Sequence, residues 1–227
     1  MKILVFADIH GEFEKLSNII DSISKETIKG IDVIVCPGDF TDMFSVPKEF
    51  SQEDVADMVL QRLVSLNKPM LCIPGNHDPY SIVGVFEEYG VGLHNRTKKV
   101  KGMLFAGWGG AATPFDTIFE PSEEETAEAL SALGSQIKEK FVLVVHNPPK
   151  GTKADQVQTG EHVGSDAVRE FIINKQPLLS ISAHIHEAGG IDKLGKTTLF
   201  NPGPVFNGNY GVVDIEGDKI RCRIGKA

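Results

Sequence analysis

The sequence predicts an α/β protein in which helices cover both faces of the strand layer. Five apolar runs rich in valine, isoleucine and leucine lack the alternation of a half-exposed strand, so each is expected to be buried on both faces. Segments with helical spacing of apolar residues lie between these runs. The chain has 227 residues, of which 41% are hydrophobic and 24% charged, and we expect residues 1–227 to form a single domain.

The predicted strands fall into two sets. The buried runs are residues 3–7, 33–36, 70–73, 141–145 and 178–183. The C-terminal part changes character, with shorter strands predicted at residues 197–200, 210–215 and 219–224. Gly217 and Asp218 between the last two strands are typical of a hairpin turn.

Four helices are predicted between the strands. Residues 13–24 and 53–66 each place apolar side chains at helical intervals. Ser122 and Glu125 have the spacing of a capping box, which predicts a third helix that stops at Gly134. Ser165 is a predicted N-cap for a fourth helix that runs towards Pro177. Residues 109–121 and 147–164 are predicted long loops, and such loops in a compact domain often carry function.

Every buried run leads into side chains that can bind a metal. In an open α/β sheet, ligands bind beyond the carboxyl ends of the strands, so these side chains are expected to meet there. In chain order the candidates are Asp8 and His10, Asp39, Asn76 with His77 and Asp78, His146, and finally His184 and His186.

The spacing of two pairs supports a site for two ions. Residues two apart in an extended segment point the same way and lie about 6.5 Å apart, as Asp8 and His10 would, and His184 and His186 likewise. The separation of His184 and His186 is wide enough to serve two metals about 3.5–4 Å apart. Carboxylate, imidazole and carboxamide ligands favour Mn²⁺, Fe²⁺ or Zn²⁺ over copper or an iron–sulfur centre.

The same residues resemble the calcineurin-like metallophosphoesterases over most of the chain. The family pattern is Asp-x-His, Gly-Asp, Gly-Asn-His-Asp/Glu, a lone His and Gly-His-x-His, in that order. This sequence matches it as Asp8-Ile9-His10, Gly38-Asp39, Gly75-Asn76-His77-Asp78, His146 and Ala183-His184-Ile185-His186. It departs only at Ala183, where the family usually has glycine; the methyl group could crowd the backbone but removes no ligand.

The resemblance implies a fold, a metal centre and a mechanism. The fold is a four-layer α-β-β-α sandwich with two central mixed sheets flanked by helices. One divalent ion would be held by Asp8, His10 and His186, the other by Asn76, His146 and His184, with Asp39 bridging them. Mn²⁺ is the expected ion, with Fe²⁺, Zn²⁺ or Ni²⁺ as alternatives. A metal-bound hydroxide would attack the phosphorus, His77 would donate to a phosphoryl or leaving-group oxygen, and Asp78 would orient the ring of His77.

Residues that are absent narrow the substrate class. Protein Ser/Thr phosphatases carry arginines soon after Gly-Asp and directly after Gly-Asn-His-Glu, whereas this chain has Phe40-Thr41-Asp42 and Pro79-Tyr80. Purple acid phosphatases have a tyrosine ligand where this chain has Asp42. The sequence looks closer to the small phosphodiesterase branch, so a phosphodiester or nucleotide-type small molecule is the predicted substrate. A phosphomonoesterase and a noncatalytic scaffold on the same fold are the alternatives.

Two further histidines lie outside the pattern. His162 precedes the predicted helix at Ser165, where a helix N-terminus favours anions, so it is a candidate substrate contact or else a loop histidine bonded to backbone. His94 is expected to be an ordinary surface histidine.

The net charge and the cysteine content limit which binding partners and which cellular compartment are expected. The net charge of −8 disfavours binding to duplex nucleic acid. Three cysteines without CxxC spacing favour buried thiols and a reducing compartment. No apolar run approaches the roughly 18 residues of a membrane span, and the N-terminal run has the pattern of a first strand, so a cytoplasmic protein without a membrane partner is expected.

Overall fold

Two mixed β-sheets lie face to face in the computed structural model, which describes residues 1–227, and helices cover their outer faces. The strands, in chain order, are β1 (Lys2–Val5), β2 (Val33–Cys36), β3 (Met70–Cys72), β4 (Arg96–Val100), β5 (Met103–Trp108), β6 (Phe141–Val145), β7 (Leu179–Ile181), β8 (Gly190–Leu194), β9 (Thr197–Asn201), β10 (Asn209–Glu216) and β11 (Lys219–Lys226). The helices are α1 (Phe13–Ser22), α2 (Lys25–Gly30), α3 (Gln52–Val64), α4 (Ile82–Glu88), α5 (Glu123–Gln136) and α6 (Asp166–Lys175). The predicted four-layer sandwich is thereby confirmed.

The strand order brings parallel strands to the centre of each sheet. The first sheet has the order β11-β10-β1-β2-β3, and β1, β2 and β3 are parallel. The second has the order β4-β5-β6-β7-β9-β8, and β5, β6, β7 and β9 are parallel. Antiparallel strands form both edges of the second sheet and one edge of the first, where Gly217 and Asp218 predict the β10–β11 hairpin; the other edge of the first sheet is the parallel strand β3.

Alternate residues of the buried strands enter different cores. Ile3 and Val5 of β1 pack between the two sheets, together with Val142 and Val144 of β6. Leu4 of β1 instead joins a second cluster beneath α1 and α3. A third cluster lies between the second sheet and α5 and α6. Because both faces of these strands are covered, their sequences contain no polar alternation.

The predicted helices begin where their caps indicate. Ser122 and Glu125 form the predicted capping box of α5, and the side chain of Ser165 caps α6. The expected stop at Gly134 is wrong, because α5 continues to Gln136. A Cβ at Gly134 would lie 2.7 Å from the Phe171 ring, so this glycine allows close packing of α5 against α6 rather than ending the helix.

Several elements have no counterpart in the sequence predictions. These are the strands β4, β5 and β8 and the short helices α2 and α4. The edge strands β4 and β8 contain several polar or charged residues, and α2 and α4 have only 6 and 7 residues. No helix is both long and apolar enough to cross a membrane.

Candidate metal centre

The loops that follow β1 and β2 are tied together by their backbones. The amides of Ile9 and His10 both donate to the carbonyl of Asp39, at 2.8 and 2.9 Å. Asp8, His10 and Asp39 all adopt left-handed φ angles, between 49° and 55°, and His184 has a φ of 71°. Such conformations are unfavourable for non-glycine residues and persist where the surrounding structure enforces them, often at functional sites.

Two glycines let these loops approach each other. Gly38 has a φ of 110°, and a Cβ there would lie 2.5 Å from Nδ1 of His146. A Cβ on Gly75 would lie 2.1 Å from Oδ1 of Asp39. Both distances are far below a van der Waals contact, so the Gly-Asp and Gly-Asn-His-Asp patterns both require glycine for space, and Gly38 also requires it for conformation.

One group of potential ligands surrounds Asp8. The ligand atoms of Asp8, His10, Asp39 and His186 all lie within 4.8 Å of one another. Nε2 of His10 is 3.3 Å from Nε2 of His186 and 3.4 Å from Oδ2 of Asp39. Two carboxylates and two imidazole nitrogens thus converge on one small volume.

A second group shares Asp39 with the first. It consists of Asp39, His146 and His184, again within 4.8 Å of one another. Nε2 of His146 lies 3.4 Å from Oδ2 of Asp39 and 2.9 Å from Oδ1 of Asn76. Nδ1 of His146 donates to the carbonyl of Pro37 at 2.8 Å, which fixes the ring and leaves Nε2 facing the carboxylate.

These residues fit divalent cations. Oδ2 of Asp8 is buried and has no hydrogen-bond partner, an arrangement that a carboxylate rarely tolerates unless a cation neutralises it. Carboxylate oxygens with imidazole nitrogens suit Mn²⁺, Fe²⁺ and Zn²⁺.

The electrostatics of the cluster favour a positive charge beside Asp39. Burial would raise the pKa of Asp39, but the charge and hydrogen bond of His146 outweigh it and hold the pKa below its ordinary value. Burial would lower the pKa of His146, but Asp39 raises it to about 9. Burial and the neighbouring His146 lower the pKa of His184 to about 3. The site therefore favours a positive charge where several acceptor atoms converge.

His77 stands beside the two ligand groups and is held at two points. Its amide donates to Oδ1 of Asp39 at 2.9 Å, and its Nδ1 lies 3.1 Å from Oδ1 of Asp42. Its ring meets that of His10 edge to face, with centroids 4.8 Å apart. The exposed ring of Phe44 packs on it as well, at 5.5 Å.

The expectation that Asp78 orients the ring of His77 is wrong. Both Asp78 oxygens are occupied by donors from neighbouring turns, namely the amides of Phe40, Thr41 and Gly75 and the hydroxyl of Thr41. Asp78 is fully buried. It therefore joins the turn after β3 to the turn after β2, and Asp42 is the carboxylate at the ring.

Comparison with known proteins places this cluster in a family. The sequence model described as calcineurin-like phosphoesterase matches residues 1–188. The chain belongs to that family. An uncharacterized protein of Methanocaldococcus jannaschii is 33% identical over 227 residues, which cover 97% of this chain and 94% of its relative.

Solved structures share the fold of this chain. A protein of Thermus thermophilus superposes with a TM-score of 0.72 at 21% identity, covering 99% of this chain and 98% of that one. The purple acid phosphatase PPD1 of yellow lupin superposes with a TM-score of 0.61 at 12% identity, covering all of this chain and 51% of its own. At these identities the likeness concerns the fold alone.

His162 lies outside both ligand groups. Its Nδ1 is 2.7 Å from Oδ1 of Asp155, and 39% of its side chain is exposed. The partner is thus a buried carboxylate rather than the backbone. Its role as a substrate contact stays a prediction.

His94 is not an ordinary surface residue. Its ring stacks on Trp108 at 4.7 Å, and its Nδ1 accepts a hydrogen bond from the amide of Gly109 at 2.9 Å. Burial and the nearby Arg96 lower its pKa to about 4. The expectation of a surface histidine is corrected accordingly.

Sequence reasoning also missed residues that border the cluster. Asp42 lies three residues after Asp39, but in the sequence it served only to exclude the tyrosine ligand of purple acid phosphatases and was assigned no role. Phe206 packs on the rings of His10 and His186, and nothing in the sequence around it indicates this. Thr117, which accepts a hydrogen bond from Nδ2 of Asn76 at 3.1 Å, lies in the predicted functional loop 109–121.

Proposed function

We propose that the protein is a dinuclear, metal-dependent phosphodiesterase that hydrolyses small phosphodiester or nucleotide-type substrates. The supporting observation is that two groups of potential ligands share a single buried carboxylate, Asp39. One ion would bind Asp8, His10 and His186. The other would bind Asn76, His146 and His184, and Asp39 would bridge them. Residues 1–227 are proposed to act as one domain.

The charges of the site favour an anionic substrate once cations are bound. Two dications against the carboxylates of Asp8 and Asp39 leave a net positive charge in a chain whose total charge is −8. When bound, the ions would supply an activated water nucleophile and polarise the phosphoryl group.

Residues of the chain itself position His77, the proposed general acid. Asp39 holds the backbone of His77, and Asp42 holds its Nδ1, so that Nε2 is left to donate to the substrate. A proton or hydrogen bond given to the leaving oxygen stabilises the charge that develops there as the ester bond breaks. Asp78 contributes by fixing the turn that carries His77.

A diester suits this site better than a monoester. No lysine or arginine lines the cavity that adjoins His10 and Asp42, so no cationic side chain there would neutralise the second charge of a phosphomonoester. The arginine clamps of the protein phosphatases are also missing from the corresponding turns.

Paired chromogenic substrates test the proposal. With Mn²⁺ supplied, bis(p-nitrophenyl) phosphate should be hydrolysed with a higher kcat/KM than p-nitrophenyl phosphate. A clear preference for the monoester would overturn the diester assignment. A metal-loaded preparation inert towards every ester would instead favour a noncatalytic scaffold.

Metal content is a separate test. Elemental analysis and anomalous scattering should find two ions per chain after loading with Mn²⁺, and parallel loading with Fe²⁺, Zn²⁺ and Ni²⁺ would rank the alternatives. The variant Asp39→Asn should lose both ions, since it alters the shared ligand. Retention of two ions by this variant would contradict a bridging role.

A further inference from the structure

A cavity of about 270 Å³ adjoins the candidate metal centre. It shares His10 and Asp42 with the cluster around His77 and extends between the N-terminal turn of α1, the loop of residues 41–50 and α3. A substrate whose phosphate lies at the metal centre would therefore have one ester substituent next to this cavity. Its volume is close to the lower end of small-molecule sites.

One part of the cavity wall is apolar. It is formed by Phe13, Val46, Pro47, Phe50, Val55 and Met58. Phe50 and Met58 remain 46% and 40% exposed, although both are large hydrophobic side chains that would normally be covered. An apolar substituent would cover them and gain the free energy of their burial.

The charged groups of the cavity are all acidic. Glu12, Glu14 and Asp42 line it, without any lysine or arginine. Asp42 is engaged by His77 and by the amide of Phe44, whereas neither Glu12 nor Glu14 takes part in an ion pair. The side chain of Glu12 makes no capping hydrogen bond either. Two carboxylates are thus left uncompensated beside two aromatic rings, which suits a cation and opposes an anion.

We propose that this cavity binds one arm of the diester, and that this arm is apolar and positively charged, as in the ester of an ammonium-bearing alcohol. The proposal rests on the proposed phosphodiesterase activity and adds the substrate class. The ammonium group would lie between Glu12, Glu14 and the rings of Phe13 and Phe50, with its alkyl groups against Met58.

A pair of isosteric substrates isolates the effect of charge. The p-nitrophenyl ester of phosphocholine and p-nitrophenyl 3,3-dimethylbutyl phosphate share the leaving group and the shape of the arm, but only the first carries a cation. We expect kcat/KM to be roughly tenfold higher for the cationic ester, from two exposed carboxylates and two aromatic faces. An active enzyme with a ratio near one would overturn this inference and leave the phosphodiesterase assignment intact. An enzyme inactive on all esters would overturn both.

Variants test whether the cavity causes the ratio of kcat/KM between the cationic and the neutral ester. The double change Glu12→Gln and Glu14→Gln should bring the ratio below about threefold, since each carboxylate contributes part of the attraction. Glu26→Gln is the matched control, because Glu26 is the second residue of α2 as Glu14 is of α1, and it does not line the cavity. A ratio unchanged by the double variant, or lowered as much by the control, would contradict the assignment.

Binding without metal or turnover gives an independent readout. The chain has five methionines, and Met58 lines the cavity. In protein labelled with [methyl-¹³C]methionine, benzyltrimethylammonium should shift the Met58 resonance saturably, whereas the anion phenylacetate should not. Equal shifts with both probes, or none with the ammonium, would overturn the proposed charge selectivity.

Discussion

At the scale of single residues, the contacts of His77 differ from those of the candidate metal ligands. Its amide donates to Asp39, but its ring nitrogen is grouped with His10 and Asp42 and with neither set that contains Asp39. Loss of the ring should therefore affect the chemistry more than the metals.

We expect His77→Ala to lower kcat by roughly 10²–10⁴-fold, the range for loss of a general acid, while metal content stays unchanged. Steady-state kinetics and elemental analysis on the same preparation would measure this. Turnover within threefold of the parent protein would contradict the assigned role, and loss of an ion would place His77 among the ligands.

The two carboxylates near His77 are expected to have different functions. Asp78→Asn should lower the free energy of unfolding by about 2–4 kcal/mol, because an amide nitrogen would face donors that now share one buried carboxylate. Asp42→Asn should lower kcat with little change in stability, since its side chain is partly exposed at 25%. Urea unfolding and kinetics of both variants would show the contrast, and the reverse pattern would return the orienting role to Asp78.

Glycine at position 75 should be required for metal binding. A Cβ there would collide with Asp39, so Gly75→Ala should lose metal, and its thermal midpoint should fall. Gly84→Ala is the control, because Gly84 lies in α4 with no atom within 4 Å of its added Cβ. That change should be neutral or stabilise by about 0.5–1 kcal/mol through helix propensity. Full metal occupancy in Gly75→Ala would show that the turn can relax.

At the scale of elements, the loop of residues 147–164 is organised around one buried carboxylate. Asp155 accepts hydrogen bonds from the amides of Gly151, Thr152 and Gly164 and contacts the ring of His162. Burial opposes ionisation of Asp155, but the bond from His162 and these amides outweigh it and lower its pKa below the ordinary value of 3.8. The loop is therefore an ordered element rather than a connection without structure.

The depressed pKa of Asp155 predicts how the loop responds to acid. A carboxyl group with a lowered folded pKa stabilises the protein above its unfolded pKa, and this stabilisation disappears as pH falls through the folded pKa. The stability difference between the parent and Asp155→Asn should be constant from pH 7 to about pH 5 and shrink below about pH 4. Urea unfolding across this range would measure it. The exposed Asp166→Asn is the control, and a difference that grows in acid would contradict the argument.

At the scale of the whole molecule, metal binding should couple the two sheets. Asp8 and Asp39 follow strands of the first sheet, whereas His146 and His184 follow β6 and β7 of the second. Ions that bind the native state alone stabilise it by about 2.7 kcal/mol at a concentration 100 times Kd.

For a chain of this size, such a stabilisation should raise Tm by roughly 5–11 °C. Calorimetry with and without Mn²⁺ would measure the shift. Asp39→Asn should abolish it, while the control Asp166→Asn should preserve it. An unchanged Tm at saturating Mn²⁺ in the parent protein would argue against a centre that joins the two sheets.

The sequence by itself determined the parts of the molecule that depend on local pattern. Buried strands lack polar alternation because both of their faces are covered, and a ligand directly after a strand must lie at its carboxyl end. Residues such as Asp8 and His146 could therefore be assigned to one edge of the fold. The capping motifs at Ser122 and Ser165 are equally local, so the starts of α5 and α6 were predictable. The edge strands β4 and β8 were not, because they contain few apolar residues and these show no clear periodicity.

Only the tertiary structure decided which groups touch across different loops. Two carboxylates, Asp42 and Asp78, follow the same strands as Asp39 and His77 and could each contact the His77 ring. In the structure, amides of the turns around Gly75 and Thr41 donate to Asp78, so Asp42 is the carboxylate that contacts the ring. The cavity beside His10 likewise joins residues of two helices and a loop. Contacts of this kind depend on how distant segments pack, and no spacing along the chain encodes them.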